Sequence, residues 1–310
     1  MIGAWPRVSA VQATGPTSAL RRAGLVILDD VDIRRYPTPD AFRNVVRSVY
    51  ERDPVLFTLE FTTLRVRDWP AGRILVSVDD CAALGAGVQS GDGVLLVSGM
   101  YSDWASEVVS TLASEAHRLS GVRGMPLVAA AFAQAWTDVT GIRATTAHEE
   151  VLYRLVELVP PIGVQGGCRS ASEGDTELLV DWLDGFFAEA LSAPSDRDAR
   201  RRFVREVDTT DDCIVLWTLS SGEPVSMARI HAPSCGVSRI GPVYTPPAHR
   251  GHGYAAAATS SAANHAHQLG ARDVVLFADV ENVASSRVYR RIGFRPFSEH
   301  VHYAPATTQS

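Results

Sequence analysis

Between Val237 and Leu269 the chain reads as an apolar strand, a proline stop, a glycine-bearing turn and a long alanine-rich helix. The segment Ile240-Gly-Pro-Val-Tyr-Thr-Pro-Pro-Ala-His-Arg-Gly-His-Gly-Tyr-Ala255 constrains the fold more than any other. Pro246 and Pro247 end the strand, because proline has no N–H to give to a sheet ladder. The turn then opens a helix from about His252 to Leu269. A helix N-terminus carries unpaired N–H groups and a partial positive charge, so it suits a pyrophosphate. Arg250 adds a fixed positive charge, and Gly251 and Gly253 leave the backbone bare for close approach. Taken alone, the same residues serve equally well as a glycine-rich turn into a helix with no ligand.

The 310 residues suit two domains. The Pro- and Gly-rich stretch Val159-Pro-Pro-Ile-Gly-Val-Gln-Gly-Gly marks the boundary, giving domains at 1–160 and 166–310. In the first, Thr-Pro-Asp at 38–40 opens a helix to Tyr50, and strand-like runs follow at Val55–Phe61, Ile74–Val78 and Val94–Ser98. Next come a helix over Ser102–Leu119, a short apolar run at Pro126–Ala130, a helix near Ala131–Val139 and a strand at Glu150–Leu158. In the second, Leu178, Leu179, Trp182, Leu183, Phe186, Phe187 and Ala190 line a helix. Strands follow at Cys213–Leu219, Val225–Ile230 and Val237–Tyr244. After the long helix come a strand at Asp273–Ala278, a helix at Ala284–Ile292 and a strand pair within Phe294–Tyr303. Both halves thus read as α/β (α+β), in a similar order of elements, as in a duplicated fold.

Net charge is −6, and no basic run is longer than Arg200–Arg202, so the concentrated positive surface of a nucleic-acid binder is missing. All 29 basic residues are arginine, which codon bias accounts for and which leaves the chain without side-chain amines of its own. The cysteines at 81, 168, 213 and 235 form no C-x-x-C pair and read as reduced thiols of a cytoplasmic protein. The opening MIGAWPRVSAVQ lacks the pattern of a signal peptide, and no apolar run reaches membrane-spanning length. Gly251-His-Gly-Tyr-Ala-Ala256 also fits a dinucleotide fingerprint, but the intervening prolines and the position of Asp273 at a strand's start argue against it. His265 and His267 diverge on a helix and His300 and His302 lack a third ligand, so no metal is expected.

Arg250-x-x-Gly253-x-Ala255 resembles the Gln/Arg-x-x-Gly-x-Gly/Ala signature of the GNAT superfamily of N-acetyltransferases. Asn282-x-x-x-Ser286-x-x-Tyr289-x-x-x-Gly293-Phe294 resembles that superfamily's second signature, and the likeness covers roughly 166–304. The wider arrangement looks like that of glycine N-acyltransferase-type proteins, with a divergent half before the catalytic one. The resemblance implies tandem GNAT-like domains, each a mixed central sheet flanked by helices, with no phosphate-binding motif in the first. It implies that Val243, Tyr244 and Thr245 offer backbone to the pantetheine arm and the oxyanion. Arg250, Gly251, His252, Gly253, Tyr254 and Ala255 would hold the pyrophosphate, and Asn282 and Ser286 would line the cofactor. Tyr289 would protonate the leaving thiolate.

The implied activity is transfer of an acetyl group from acetyl-CoA, or an acyl group from another acyl-CoA, to a primary amine of a small molecule or peptide, by direct attack in a ternary complex. No nucleic acid, membrane or metal takes part, and a monomer or homodimer is expected. One departure stands out. Many superfamily members carry a glutamate level with Arg239 as the base, and arginine cannot act so. Glu189, Asp208, Glu223 and His231 are the candidate substitutes, beside a water relay. A non-catalytic acyl-CoA sensor is the alternative that Arg239 keeps open.

Overall fold

The computed structural model describes residues 31–66, 69, 71–191 and 194–306. The N-terminal segment read above for a leader lies outside the described residues. The chain divides into two units: 1–64, 68–149 and 298–310 make the first, and 65–67 and 150–297 the second. The Pro- and Gly-rich stretch from Val159 therefore lies within the second unit.

The first unit is built from β1 (Asp32–Arg35), α1 (Pro39–Tyr50), α2 (Thr58–Leu64), β2 (Leu75–Asp79), β3 (Leu84–Gln89) and β4 (Val94–Gly99). It continues through a 3-10 turn (Ser102–Trp104), α3 (Ala105–Thr111), α4 (Ala113–Ala116), β5 (Gly121–Gly124) and α5 (Pro126–Thr140) to the start of β6 (Ala144–Leu155). Its strands lie in the order β1-β2-β3-β4-β5, and the sixth place is taken by Val301–Tyr303, paired with Gly124–Val122. All neighbours run antiparallel except β4 and β5. Alternation along β4 sends Leu95 and Val97 toward Trp104, Phe132 and Trp136, and Val94 and Leu96 toward Phe42, Tyr50 and Phe57. Helices thus cover both faces.

The second unit repeats that order of elements with β7 (Gly167–Ser170), α6 (Thr176–Leu191), α7 (Arg197–Thr209), β8 (Cys213–Thr218), β9 (Pro224–Ile230) and β10 (Val237–Tyr244). Then come α8 (Tyr254–Gln268), β11 (Asp273–Asp279), α9 (Val283–Arg291) and β12 (Phe294–Pro305). The strands lie in the order β6-β11-β10-β9-β8-β7, with β10 and β11 parallel. On one face α6 buries Leu179, Trp182 and Leu183 against Ile214, Leu216 and Met227. On the other, Ala258, Ala262 and Ala266 of α8 are fully buried against Val215, Ala228 and Ile230. Small side chains there let the helix axis lie close to the sheet.

Several expected elements are corrected. Val55–Phe61 is a turn at Val55–Phe57 followed by the start of α2, because Asp53 Oδ1 accepts from Leu56 N at 3.0 Å and starts helical bonding that continues as Phe61 N to Phe57 O. That cap outweighs the strand propensity of Val55 and Phe57. The helix expected over 102–119 breaks at Leu112 (φ −93, ψ 13) into α3 and α4. The pieces expected at Pro126–Ala130 and Ala131–Val139 are one helix with proline in its first turn, closed by Gly141 at φ 71. The terminal pair of strands is the single strand β12.

Glu60 on α2 is 1% exposed, and burial pushes its carboxyl up to about 7, with Ser98 and the Arg123 charge opposing the rise. A carboxyl raised above its ordinary 4.5 holds its proton more tightly in the folded than the unfolded chain. Stability therefore falls as pH rises from 4.5 through 7, by roughly 3 kcal/mol in all. Glu60→Gln should gain little over the unaltered protein at pH 4.5 and most above pH 7. Urea unfolding at several pH values measures this, and a gain that does not change with pH would refute the assignment.

Candidate functional site

β10 and β11 pair in parallel from Val237 opposite Asp273 to Ile240 opposite Leu276. Past that point the register of β10 against β9 shifts between Ile240 and Val243, while β11 stays paired with β6 as far as Asp279. The two parallel strands therefore part, and the edge of β10 over Gly241–Tyr244 turns toward the opening. Val243, opposite Ala228, belongs to the α8 face, and Tyr244, opposite Met227, belongs to the α6 face. Ser226, fully buried, pins the strand's end: its hydroxyl donates to Tyr244 O at 3.1 Å and is hydrogen-bonded to Thr245 Oγ1 at 2.8 Å.

After Pro246 a 3-10 turn over Pro247–His249 delivers Arg250, and α8 begins at Tyr254. Gly251 and Gly253 both adopt left-handed backbone, at φ 83 and 82. A Cβ on Gly251 would meet nothing within 4 Å, so its need for glycine is conformational and it faces open space. A Cβ on Gly253 would lie 3.1 Å from Val164 Cγ2. Val164 follows Val159, whose N–H donates to Ile292 O, and precedes Gln165, whose carbonyl accepts from Trp217 Nε1 at 2.8 Å. The stretch read as a linker thus lies against the turn. His252 stacks on Tyr254 with ring centroids 5.4 Å apart, and its Nδ1 lies 3.3 Å from His249 O. The first-turn amides of α8 have no partner within the helix, so the turn presents several donors beside Arg250.

Arg250 donates from Nε to Thr245 O at 2.9 Å and from Nη2 to Glu189 Oε2 at 2.6 Å. The other oxygen of Glu189 accepts from the Tyr244 hydroxyl at 3.0 Å. Burial, aided by Glu189, raises the Tyr244 phenol above its ordinary range. A Cβ on Gly185 would come 2.5 Å from that hydroxyl, so α6 lacks a side chain where Tyr244 reaches it.

On α9, Asn282 is the N-cap, its Oδ1 accepting from Ser285 N at 3.0 Å, and Ser286 N donates to Asn282 O. Tyr289 is 7% exposed and lies between Tyr153 and Phe294, in the cluster that holds Ile240 and Val243. Burial pushes its hydroxyl up to about 12, with a hydrogen bond to Ser285 pulling the other way. The structure therefore brings Val243–Thr245 at the end of β10 and Arg250–Ala255 at the start of α8 onto one connection, and buries Tyr289 in the cluster that holds Val243.

The candidate bases separate. His231 is bonded through Nδ1 to Asp212 Oδ2 at 2.8 Å, beside Arg229, and its backbone N–H donates to Arg239 O. Burial and the Arg239 charge push it down to about 3. It stands about 15 Å along the strand from Tyr244, at the far end of the sheet. Glu223 lies at the near end, 3.5 Å from His249 Nε2. Glu189 touches the turn itself, and the Asp208 side chain lies outside the described ones. Sequence reasoning missed Ser226, Val164 and Gly185. For Gly185 the signal was present, as an isolated glycine in an otherwise apolar helical run.

In the first unit the matching strand end is filled. A Cβ on Gly99 would lie 2.9 Å from Tyr50 Cε1, 3.2 Å from Val49 Cγ1 and 2.8 Å from Ala86 O. Among the described residues no three His, Cys, Asp or Glu side chains are grouped to hold a metal, and no helix is long and apolar enough to cross a membrane.

Residues 176–294 match the model of the Acetyltransferase (GNAT) family. No curated protein matches the chain. Among solved structures, a GCN5-related N-acetyltransferase from Sphaerobacter thermophilus superposes with a TM-score of 0.57 at 17% identity, covering 90% of this chain and 96% of that one. A GNAT-family acetyltransferase from Colwellia psychrerythraea gives 0.55 at 13%, covering 88% and 99%. A tandem GNAT protein from the clavulanic acid biosynthesis pathway gives 0.56 at 10%, covering 91% and 100%. At such identities these likenesses show a shared mixed α/β tandem fold.

Replacing either turn glycine by alanine should cost about 1–2 kcal/mol for the left-handed backbone. Gly253→Ala should cost more than Gly251→Ala, because of Val164, and adding Val164→Ala should remove the excess. Chemical denaturation of the four proteins measures this; equal costs at the two glycines would remove Val164 from the account.

Proposed function

We propose, from the premise that residues 176–294 belong to the GNAT acetyltransferase family, that this transferase moves an acetyl group from acetyl-CoA to a primary amine of a small molecule or peptide. One observation carries the reading. The edge of β10 opens toward a V at Gly241–Tyr244, a few residues before a helix N-terminus that carries Arg250 and two left-handed glycines. An opened strand edge suits the amide groups of a pantetheine arm, and the turn suits a diphosphate. Gly251 faces open space where the phosphates would come.

Arg250 and the amides of Gly251–Ala255 hold the diphosphate, Val243 and Thr245 offer backbone to the pantetheine arm, and Asn282 and Ser286 flank it. When bound, acetyl-CoA supplies an activated acyl group as a thioester. The neutral amine attacks the carbonyl carbon, a C–N bond forms, and N–H groups of Val243 and Tyr244 stabilise the oxygen's developing charge. The nitrogen sheds its extra proton to water, the C–S bond breaks and the thiolate leaves. Proton transfer to it from a hydroxyl at about 12 is uphill by about 5 kcal/mol against a thiol near 8.5. Tyr289 therefore acts first as a hydrogen-bond donor to sulfur as its charge grows.

The first half is proposed as a GNAT-like domain that has lost the cofactor site, since Tyr50 and Val49 pack where its strand ends. The substitution of Arg239 leaves no carboxylate at that strand position.

Calorimetry with CoA should show binding that Arg250→Glu weakens tenfold or more, at about 1.4 kcal/mol per factor of ten. Tyr289→Phe should lower kcat about 10²-fold with CoA affinity unchanged. Thiol release from acetyl-CoA over a panel of primary amines reads turnover. Failure to bind CoA would end the reading, and tight binding with no amine turned over would favour a non-catalytic sensor.

A further inference from the structure

Arg250 and Glu189 belong to opposite faces of the second sheet. Arg250 precedes α8, whose alanines pack on the face of Val215, Ala228 and Ile230. Glu189 is on α6, which packs on the face of Leu216 and Met227. Their bond therefore carries a guanidinium around the end of β10, from the face of the turn to that of Tyr244. The destination is prepared. Gly185 clears room for the Tyr244 hydroxyl, that hydroxyl fixes one oxygen of Glu189, and the other oxygen is left for a cation. The chain's own arginine is the cation found there.

Both partners are nearly half exposed, at 47% and 46%, and an ion pair so open to water is weak. A diphosphate at the N-terminus of α8 offers Arg250 more charge and several oxygens in the geometry a guanidinium prefers. It would draw the arginine away and leave Glu189 anchored by Tyr244 with its second oxygen free.

We propose that Glu189 is the site for a cationic group of the acceptor other than the amine that reacts, filled by Arg250 in the free protein and vacated when the diphosphate of the coenzyme takes that arginine. The inference rests on the coenzyme reading of the turn. It names the acceptor as a molecule that carries a positive charge beside its reacting amine and binds on the sheet face opposite the turn, favoured by bound coenzyme. It concerns binding, and assigns Glu189 no proton transfer.

Calorimetry with CoA on the full chain, Glu189→Gln, Arg250→Gln and the double variant tests the competition. Glu189→Gln should bind CoA about two- to fivefold more tightly, as expected from releasing an exposed ion pair. That gain should vanish in the Arg250→Gln background. By reciprocity, butane-1,4-diamine titrated into the CoA-saturated protein should bind about two- to fivefold more tightly than to Glu189→Gln or to CoA-free protein. Glutamine keeps the shape of a side chain that is half exposed on α6, and matching melting curves confirm that the variants fold. If Glu189→Gln leaves CoA affinity unchanged or weaker, or if diamine binding ignores Glu189, this inference falls while the coenzyme reading stands. If the unaltered chain binds no CoA, both fall.

Discussion

Parallel strands that stop pairing leave peptide groups in need of partners, and in this molecule the parting of β10 from β11 beyond Ile240 and Leu276 is the event on which the site depends. β11 remains held by β6, so β10 alone changes course. Its end is then fixed from the side by a buried hydroxyl, that of Ser226, which takes both the Tyr244 carbonyl and the Thr245 hydroxyl as partners. The end of β10 is thus held in place where it parts from β11, and the turn that opens α8 follows it.

Absent side chains shape this region as much as present ones. Gly251 leaves the turn open, Gly253 admits Val164, Gly185 admits the Tyr244 hydroxyl, and the alanines of α8 bring its N-terminus down against the sheet. Charge is arranged sparingly by comparison. One arginine and one glutamate span the end of β10, and the buried pairing of Asp212 with Arg229 and His231 is kept to the far end of the sheet.

What could be read beforehand was what local chemistry decides. Prolines at 246 and 247, glycines at 251 and 253 and the alanine-rich run after them act within a few residues of themselves, so the strand, turn and helix followed from the letters. α7 went unread because Arg197–Thr209 is mostly charged, with a narrow stripe of Phe203, Val204 and Val207, although Asp196 caps it by accepting from Ala199 N. β3 and β7 went unread because glycines interrupt their apolar alternation. The bond between Glu189 and Arg250 joins residues 61 apart in sequence, and no periodicity connects them; it exists because two helices on different faces meet at one strand end.

The sixth strand position of the first sheet belongs to Val301–Tyr303, which the ribosome makes after everything in the second unit. Until those residues emerge, β5 has an open edge of N–H and C=O groups beside the hydrophobic cluster of Trp104, Phe132 and Trp136. Vectorial synthesis therefore cannot finish the earlier-made unit first. A nascent chain halted anywhere before Val301 leaves that edge unpaired, the kind of surface on which incomplete chains associate.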